Sequence, residues 1–328
     1  MSTSLPVSFS DVLDAEPRVH KYLDETPLYQ WPGLSKQLSC HYFLKHENHQ
    51  PTGAFKVRGG INLVATLNDN DRQRGIIGCT TGNHGQSLAF ACRAFDIRCV
   101  LIAPIGNNPD KMQAMTNWGA ELIEHGKDFD EAREYCEQYY QQEDLRYVHS
   151  ANEPMLIAGV GTCALEIFNK IPAPDYLFVP IGLGSGACGA CLVASALNPS
   201  TKIIGVQATG APAMTYSWRE GRMISTSKAD TSAEGLATRV PAEMTLEILR
   251  QHLTDIVLVD DKEIRNAVYL ILNETHNMVE GAGAASTAAA LKMKDELHGK
   301  TVVSIISGGN LELRELQGLL NQRLNNIS

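Results

Sequence analysis

Short β-rich apolar runs alternate with helix-like segments almost from end to end of this chain, and that alternation restricts the fold more than any other feature. The runs are "HYFLK" (41–45), "GIIGC" (75–79), "RCVLIA" (98–103), "AELIEH" (120–125), "YLFVPI" (176–181), "KIIGVQ" (202–207), "DIVLVD" (255–260) and "TVVSIIS" (301–307). Between them lie the helical patterns Gly85–Phe95, Lys111–Trp118, Asp130–Gln141, Gly186–Leu197, Glu263–Thr275 and Ala284–Glu296. Strands separated by helix-length segments are joined by crossovers, so the pattern predicts an α/β fold of open, mostly parallel twisted sheets covered by helices on both faces. No repeat, low-complexity tract or tether interrupts it. The segment 75–149 holds several compact β-α units and is expected to form a small α/β domain inserted into a larger one made of 1–74 and 150–328.

With 328 residues, 44% of them hydrophobic, the chain can build a core in each lobe. A net charge of −9 leaves no basic patch for a phosphate backbone, so nucleic acid is excluded as a partner and small molecules are favoured. No apolar run reaches the length of a membrane span, and the opening residues carry acids where a signal peptide would carry a basic and then an apolar region. A cytoplasmic protein is expected. The eight cysteines sit in apolar runs, as buried thiols do. Cys188 and Cys191 make a C-x-x-C in "GSGACGACLVASAL", but no second ligand pair or charged neighbour accompanies it, so these are read as helix-packing residues.

One lysine has unusual company. In "ENHQPTGAFKVRGG" (47–60), Lys56 stands between Phe55 and Val57, with Pro-Thr-Gly before and Arg-Gly-Gly after. A surface lysine that lays its alkyl stem along an apolar patch would account for it. So would a desolvated amine available for Schiff-base chemistry with an aldehyde.

Loops at the carboxyl ends of parallel strands are where such sheets bind ligands. After "YLFVPI" comes "GLGSGACG" (182–189), whose glycines let backbone N–H groups converge on an anion such as a phosphate. Close helix-strand packing would also require glycines there. A dinucleotide fingerprint fails, because its third glycine falls at Ala187 and the next strand ends in Gln207 rather than an acid. After "GIIGC" comes "TTGNHGQSLAFA" (80–91), with more polar and permissive residues than a helix cap needs. Neutral donors at a helix start suit a carboxylate. Two further loops are "VEGAGAAS" (279–286), with Glu280 at a helix start, and "SGGN" (307–310). A phosphate, an aldehyde and a carboxylate-bearing substrate together describe pyridoxal phosphate and an amino acid.

In these motifs the chain resembles the pyridoxal-phosphate enzymes of fold type II, the tryptophan-synthase-β type, in the branch of threonine (serine) dehydratases and serine racemases. The resemblance runs from "ETPL" (25–28) through the segments above, "AGVGTCALEI" (158–167) and "AEGLATRVP" (233–241) to "SGGN". It implies pyridoxal phosphate held between a large and a small lobe. Lys56 would carry the Schiff base and, once displaced by the substrate amine, act as general base at Cα. The backbone of Gly182, Leu183, Gly184, Ser185 and Gly186 would hold the phosphate, Asn83 would meet the 3-hydroxyl, and Ser307 would hydrogen-bond the pyridine nitrogen. Phe55 and Glu280 would complete the cofactor's surroundings. Thr80, Thr81, Gly82, Asn83, His84 and Gly235 would surround the substrate.

The implied activity is that of an ammonia-lyase (dehydratase) converting L-threonine or L-serine to a 2-oxo acid and ammonia, in a homodimer. Alternatives are a serine or aspartate racemase, and a dehydratase of a larger substrate such as hydroxyaspartate or phenylserine. Thr81 separates the first of these, because the racemases of this type have at that position a serine that acts as acid and base. The racemase-like divalent-metal site would need acids where this chain has Gln207 and Ala213, so no metal is expected. A cofactor carrier without turnover is the reading from another class, disfavoured by the presence of Lys56 and the carboxylate loop.

Overall fold

A strand that is apolar along its whole length has to be covered on both faces, and the strands here obey that rule. In the computed structural model, which describes residues 5–325, the chain begins with α1 (Phe9–His20), β1 (Leu28–Gln30), α2 (Pro32–Leu38), β2 (His41–His46), α3 (Lys56–Ala65) and α4 (Asp69–Arg74). It continues through β3 (Ile76–Cys79), α5 (Asn83–Ala94), β4 (Cys99–Ala103), α6 (Pro109–Asn117), β5 (Glu121–Glu124), α7 (Phe129–Gln142) and β6 (Arg146–Tyr147). Then follow α8 (Pro154–Lys170), β7 (Tyr176–Pro180), α9 (Ser185–Leu197), β8 (Lys202–Ala208), α10 (Ala213–Glu220) and α11 (Glu243–His252). The last elements are β9 (Asp255–Val259), α12 (Asp261–Thr275), α13 (Gly281–Lys292), β10 (Thr301–Ile306) and α14 (Leu313–Asn325).

Two compact units result. One holds Glu25–Phe55 and the chain from Cys163 onward, the other Pro6–Asp24 and Lys56–Thr162. The smaller unit therefore extends beyond the 75–149 segment read from the sequence. The reason is packing: α3 lies against α5 and α1, and its glycines let other backbones approach. A Cβ on Gly59 would come within 2.8 Å of the Leu156 carbonyl oxygen, and one on Gly60 within 2.6 Å of the Ser87 carbonyl oxygen.

The smaller unit's sheet is parallel, in the order β5-β4-β3-β6. Successive residues of its central strands point to opposite faces. Ile76, Cys99 and Leu101 join a core with Val57, Ile61 and Val64 of α3 and Leu88 and Cys92 of α5. Ile77, Val100 and Ile102 join the other core, with Ala132 and Cys136 of α7.

The larger unit's sheet runs β1-β2-β10-β7-β8-β9, parallel except for the antiparallel edge strand β1. The helix α13, "GAGAASTAAALK", contributes Ala284, Ala285, Ala288 and Ala289 to its core. Small side chains there bring the helix close to the sheet. Both sheets and their helical cover match the α/β architecture expected from the alternating runs.

A buried charged cluster lies at the end of β2. The Lys45 ammonium pairs with the Glu166 carboxylate and donates to the Thr26 carbonyl at 2.8 Å, both side chains being almost wholly buried. Thr26 in turn donates its hydroxyl to Glu47 at 2.5 Å. Removing the Lys45 ammonium would take a charged partner from a carboxylate in the core. Lys45→Met should therefore lose about 3–5 kcal/mol of stability, and Lys45→Met with Glu166→Leu should lose less, because the second change removes the buried charge. Urea unfolding of the two variants against the parent measures both.

Candidate active site

Beyond β7 the larger unit turns through glycines into α9. Gly184 has φ +98°, in the region that favours glycine, and a Cβ on Gly182 would collide with the carbonyl oxygen of Gly235. Each carbonyl of this turn is taken. Thr238 donates its hydroxyl to Gly182 O at 3.3 Å, Thr245 to Leu183 O at 2.5 Å, and the Cys188 N–H to Gly184 O at 2.9 Å. In a trans peptide the N–H points opposite to the C=O, so the turn's N–H groups are directed away from those partners. The first N–H groups of α9 have no intrahelical acceptor and add the positive end of the helix dipole. This is an anion cradle built from Gly182, Leu183, Gly184, Ser185 and Gly186.

Around the cradle the same unit places three of the other expected residues. A Cβ on Gly186 would come within 3.0 Å of the Phe55 ring, so that ring lies directly against the cradle's end. Ser307 is buried just past β10, and its carbonyl accepts the Phe55 N–H at 3.0 Å. Glu280 precedes α13, donates its N–H to Gly308 O at 3.2 Å, and lays its carboxylate where a Cβ on Gly308 would be.

In the smaller unit, Lys56 is the first residue of α3 and is half-buried. The loop from Thr80 is wound on one hydroxyl: Thr80 Oγ1 accepts the N–H groups of Gly82 and Gly85, each at 3.0 Å. Thr80, expected to touch substrate, thus has its hydroxyl committed to shaping the loop. Thr81 and Asn83 are partly exposed amid buried neighbours. The Thr81 carbonyl is held by the Asn107 amide at 3.2 Å.

His84 behaves differently from a surface donor. Its Nε2 lies 3.7 Å from where Gly78 would carry a Cβ, so the ring faces its own unit's interior. There it is buried and Nε2 has no partner. Burial, helped by the charge of Lys56 and by His149, lowers its pKa to about 3. The imidazole stays neutral at physiological pH.

Sequence reading missed Thr238, Thr245 and Ser87. Each acts through a single hydroxyl on a remote backbone carbonyl, and one hydroxyl leaves no local pattern. Cys188 and Cys191 are fully buried, with thiol pKa values pushed up by burial, so they do not offer a thiolate. Gln207 gives its side-chain carbonyl to the N–H and hydroxyl of Thr215, both at 2.8 Å. Among the described residues no group of three metal-ligating side chains occurs.

In the larger unit the cradle suits a phosphate dianion, and in the smaller unit the half-buried lysine suits an aldehyde. These donors fit pyridoxal phosphate. The family described as pyridoxal-phosphate dependent enzyme matches residues 19–308, and the chain belongs to it. It is 33% identical to the L-threonine ammonia-lyase of Thermotoga maritima over 97% of this chain and 79% of that protein. Among solved structures, the processed form of threonine deaminase isoform 2 from Solanum lycopersicum superposes with a TM-score of 0.91 at 28% identity, covering 97% of this chain and 91% of the other. Maize serine racemase gives a TM-score of 0.91 at 26% identity, covering 98% of each.

The two buried histidines set a pH dependence. His46, whose Nε2 accepts from Trp31 at 3.1 Å, is also held neutral by burial, helped by the nearby His49, and its pKa falls to about 4. A histidine whose pKa is depressed by folding contributes stability above its unfolded value of 6.5. That contribution is lost as pH falls towards 4 for His46 and 3 for His84, because only the unfolded chain takes up the proton. His46→Asn and His84→Asn should each flatten the acid side of the stability curve by up to about 1.4 kcal/mol per pH unit. Urea unfolding at several pH values between 7 and 4 reads this as a change of slope, whatever the change in overall stability.

Proposed function

We propose that this chain is a pyridoxal-phosphate-dependent ammonia-lyase that converts L-threonine or L-serine to a 2-oxo acid and ammonia. The observation that carries the reading is the likeness, over 97% of the chain, to a protein named L-threonine ammonia-lyase, in a chain that keeps the amine, the anion cradle and the polar loop. Threonine would give 2-oxobutanoate and serine pyruvate.

When bound, pyridoxal phosphate supplies an aldehyde for an amine and a sink for the electrons of the bond broken at Cα. The rest is the work of the chain. The N–H groups of Gly182 to Gly186 bind the phosphate, and the Phe55 and Glu280 side chains border the cofactor. Asn83 meets the 3-hydroxyl. Thr81, Gly82, Asn83 and the start of α5 receive the substrate carboxylate, with Thr80 holding the loop in shape and Gly235 bordering the substrate. Lys56 would act as the general base that takes the proton from Cα. Ser307 donates a neutral hydrogen bond to the pyridine nitrogen. A carboxylate in its place would hold a proton on that nitrogen, whereas the neutral serine hydroxyl would not require one.

The likeness to maize serine racemase supports a second reading, in which Thr81 moves a proton on the opposite face of Cα. No helix among the described residues is long and apolar enough to cross a membrane. A cytoplasmic homodimer completes the proposal, with the dimer open to measurement by sedimentation.

A spectrum of the purified protein should show a cofactor imine band that shifts on adding L-threonine or L-serine, with oxo acid and ammonia released. Lys56→Ala should lower oxo-acid release by about 10³-fold or more. Thr81→Ala should spare elimination and remove any racemisation seen by chiral chromatography. A protein that shows no imine band even after adding pyridoxal phosphate would overturn the reading.

A further inference from the structure

We infer that Ser87 is a positioning residue for Lys56: its hydroxyl ties the backbone of the lysine to α5, so the amine and the substrate loop are held as one piece. This deepens the lyase reading and rests on it.

Ser87 is fully buried in the second turn of α5, and its Oγ donates to the Lys56 carbonyl at 2.6 Å. A serine inside a helix ordinarily bonds the carbonyl one turn back in its own helix. This one reaches another helix, 31 positions away in sequence. The Lys56 oxygen has a second lone pair to give it, because the i→i+4 pattern of α3 takes only one.

The contact depends on Gly60. A Cβ there would collide with the Ser87 hydroxyl and come within 2.6 Å of its carbonyl oxygen, so a glycine is required for the two helices to meet. On its other side α3 is gripped by α8. A Cβ on Gly159 would come within 2.5 Å of the Arg58 carbonyl oxygen, and the wholly buried Arg58 guanidinium lies 3.2 Å from the Thr162 hydroxyl. Held on both flanks, α3 has no room to slide.

The other end of the link is equally fixed. Thr80 Oγ1 binds the N–H groups of Gly82 and Gly85, and Gly85 is two residues before Ser87 on the same helix. The bonds thus run from the loop through α5 and Ser87 to the backbone of Lys56. A lysine that must reach Cα after the substrate displaces it returns over a flexible side chain, and only its backbone can be held in register. A shift of about 1 Å in such a group costs on the order of 10²-fold in rate.

The test is Ser87→Ala, which removes the hydroxyl without adding bulk. The holoenzyme is assayed with L-threonine and L-serine, and hydrogen exchange is followed in the 56–60 segment of the cofactor-free protein. The expected result is a fall in kcat of about 10-fold with KM within about twofold, because the loop that binds the carboxylate is untouched. Exchange at 56–60 should be faster, with the 80–85 loop unchanged. Unchanged kcat, or a loss shared equally between kcat and KM, or faster exchange across both segments, would overturn the inference, the last two by showing general loosening. Ser87→Cys keeps a side-chain donor at that place, bulkier and weaker than the hydroxyl. It should give a smaller drop of the same kind and keeps the question decidable if the alanine variant does not fold. A parent protein that forms no imine and releases no oxo acid would instead sink the lyase reading, and is checked first.

Discussion

The first N–H groups of a helix have no acceptor inside the helix, and a parallel sheet delivers several such helix starts to the carboxyl ends of its strands. The chemistry of this chain is organised around that surplus of donors. Where an anion must be bound, the carbonyls beside the donors are taken out of the way by hydroxyls: Thr238 and Thr245 at the cradle after β7. Where a loop needs shape, a hydroxyl accepts some of the donors themselves, as Thr80 does before α5. Threonines thus decide which backbone groups remain for a ligand, although none of these three hydroxyls need touch one.

Buried polar groups play the corresponding role along the segment that leads to Lys56. Lys45, His46 and Glu47 are consecutive and all buried, each with a partner: Glu166, Trp31 and Thr26. Further on, Asn310 donates to the Thr52 carbonyl at 2.9 Å, and the Phe55 N–H goes to Ser307. Such a segment cannot drift without breaking several bonds away from water, where each broken bond is expensive. It starts in the ladder of β2 and β10 and, beyond His46, is held by side-chain and isolated backbone bonds.

The strands were legible in the sequence because short apolar runs separated by helix-length segments leave a local pattern: all eight runs read from it are strands. β1 and β6, with three and two residues, are too short to carry one. α3 hid behind two adjacent glycines, poor helix formers kept because neighbouring backbones pack against them. α8, "PMLIAGVGTCALEIFNK", is apolar nearly all round and so lacks the amphipathic period that marks a surface helix. The extent of the smaller unit was out of reach, since α1 joins α3 through contacts distant in sequence. At the site, Lys56, the glycine turn and the Thr80 loop announced themselves by composition. The inward turn of His84 did not, because a ring's direction is set by the core it meets.

All eight cysteines are free and buried. In the folded protein their thiols are kept from oxidants and, where burial raises their pKa, from ionising. Unfolding exposes them together, and accessible thiols form disulfides over seconds to hours, depending on the oxidant. The working lifetime of this enzyme outside a reducing environment is therefore set by how often it opens, a rate rather than an equilibrium.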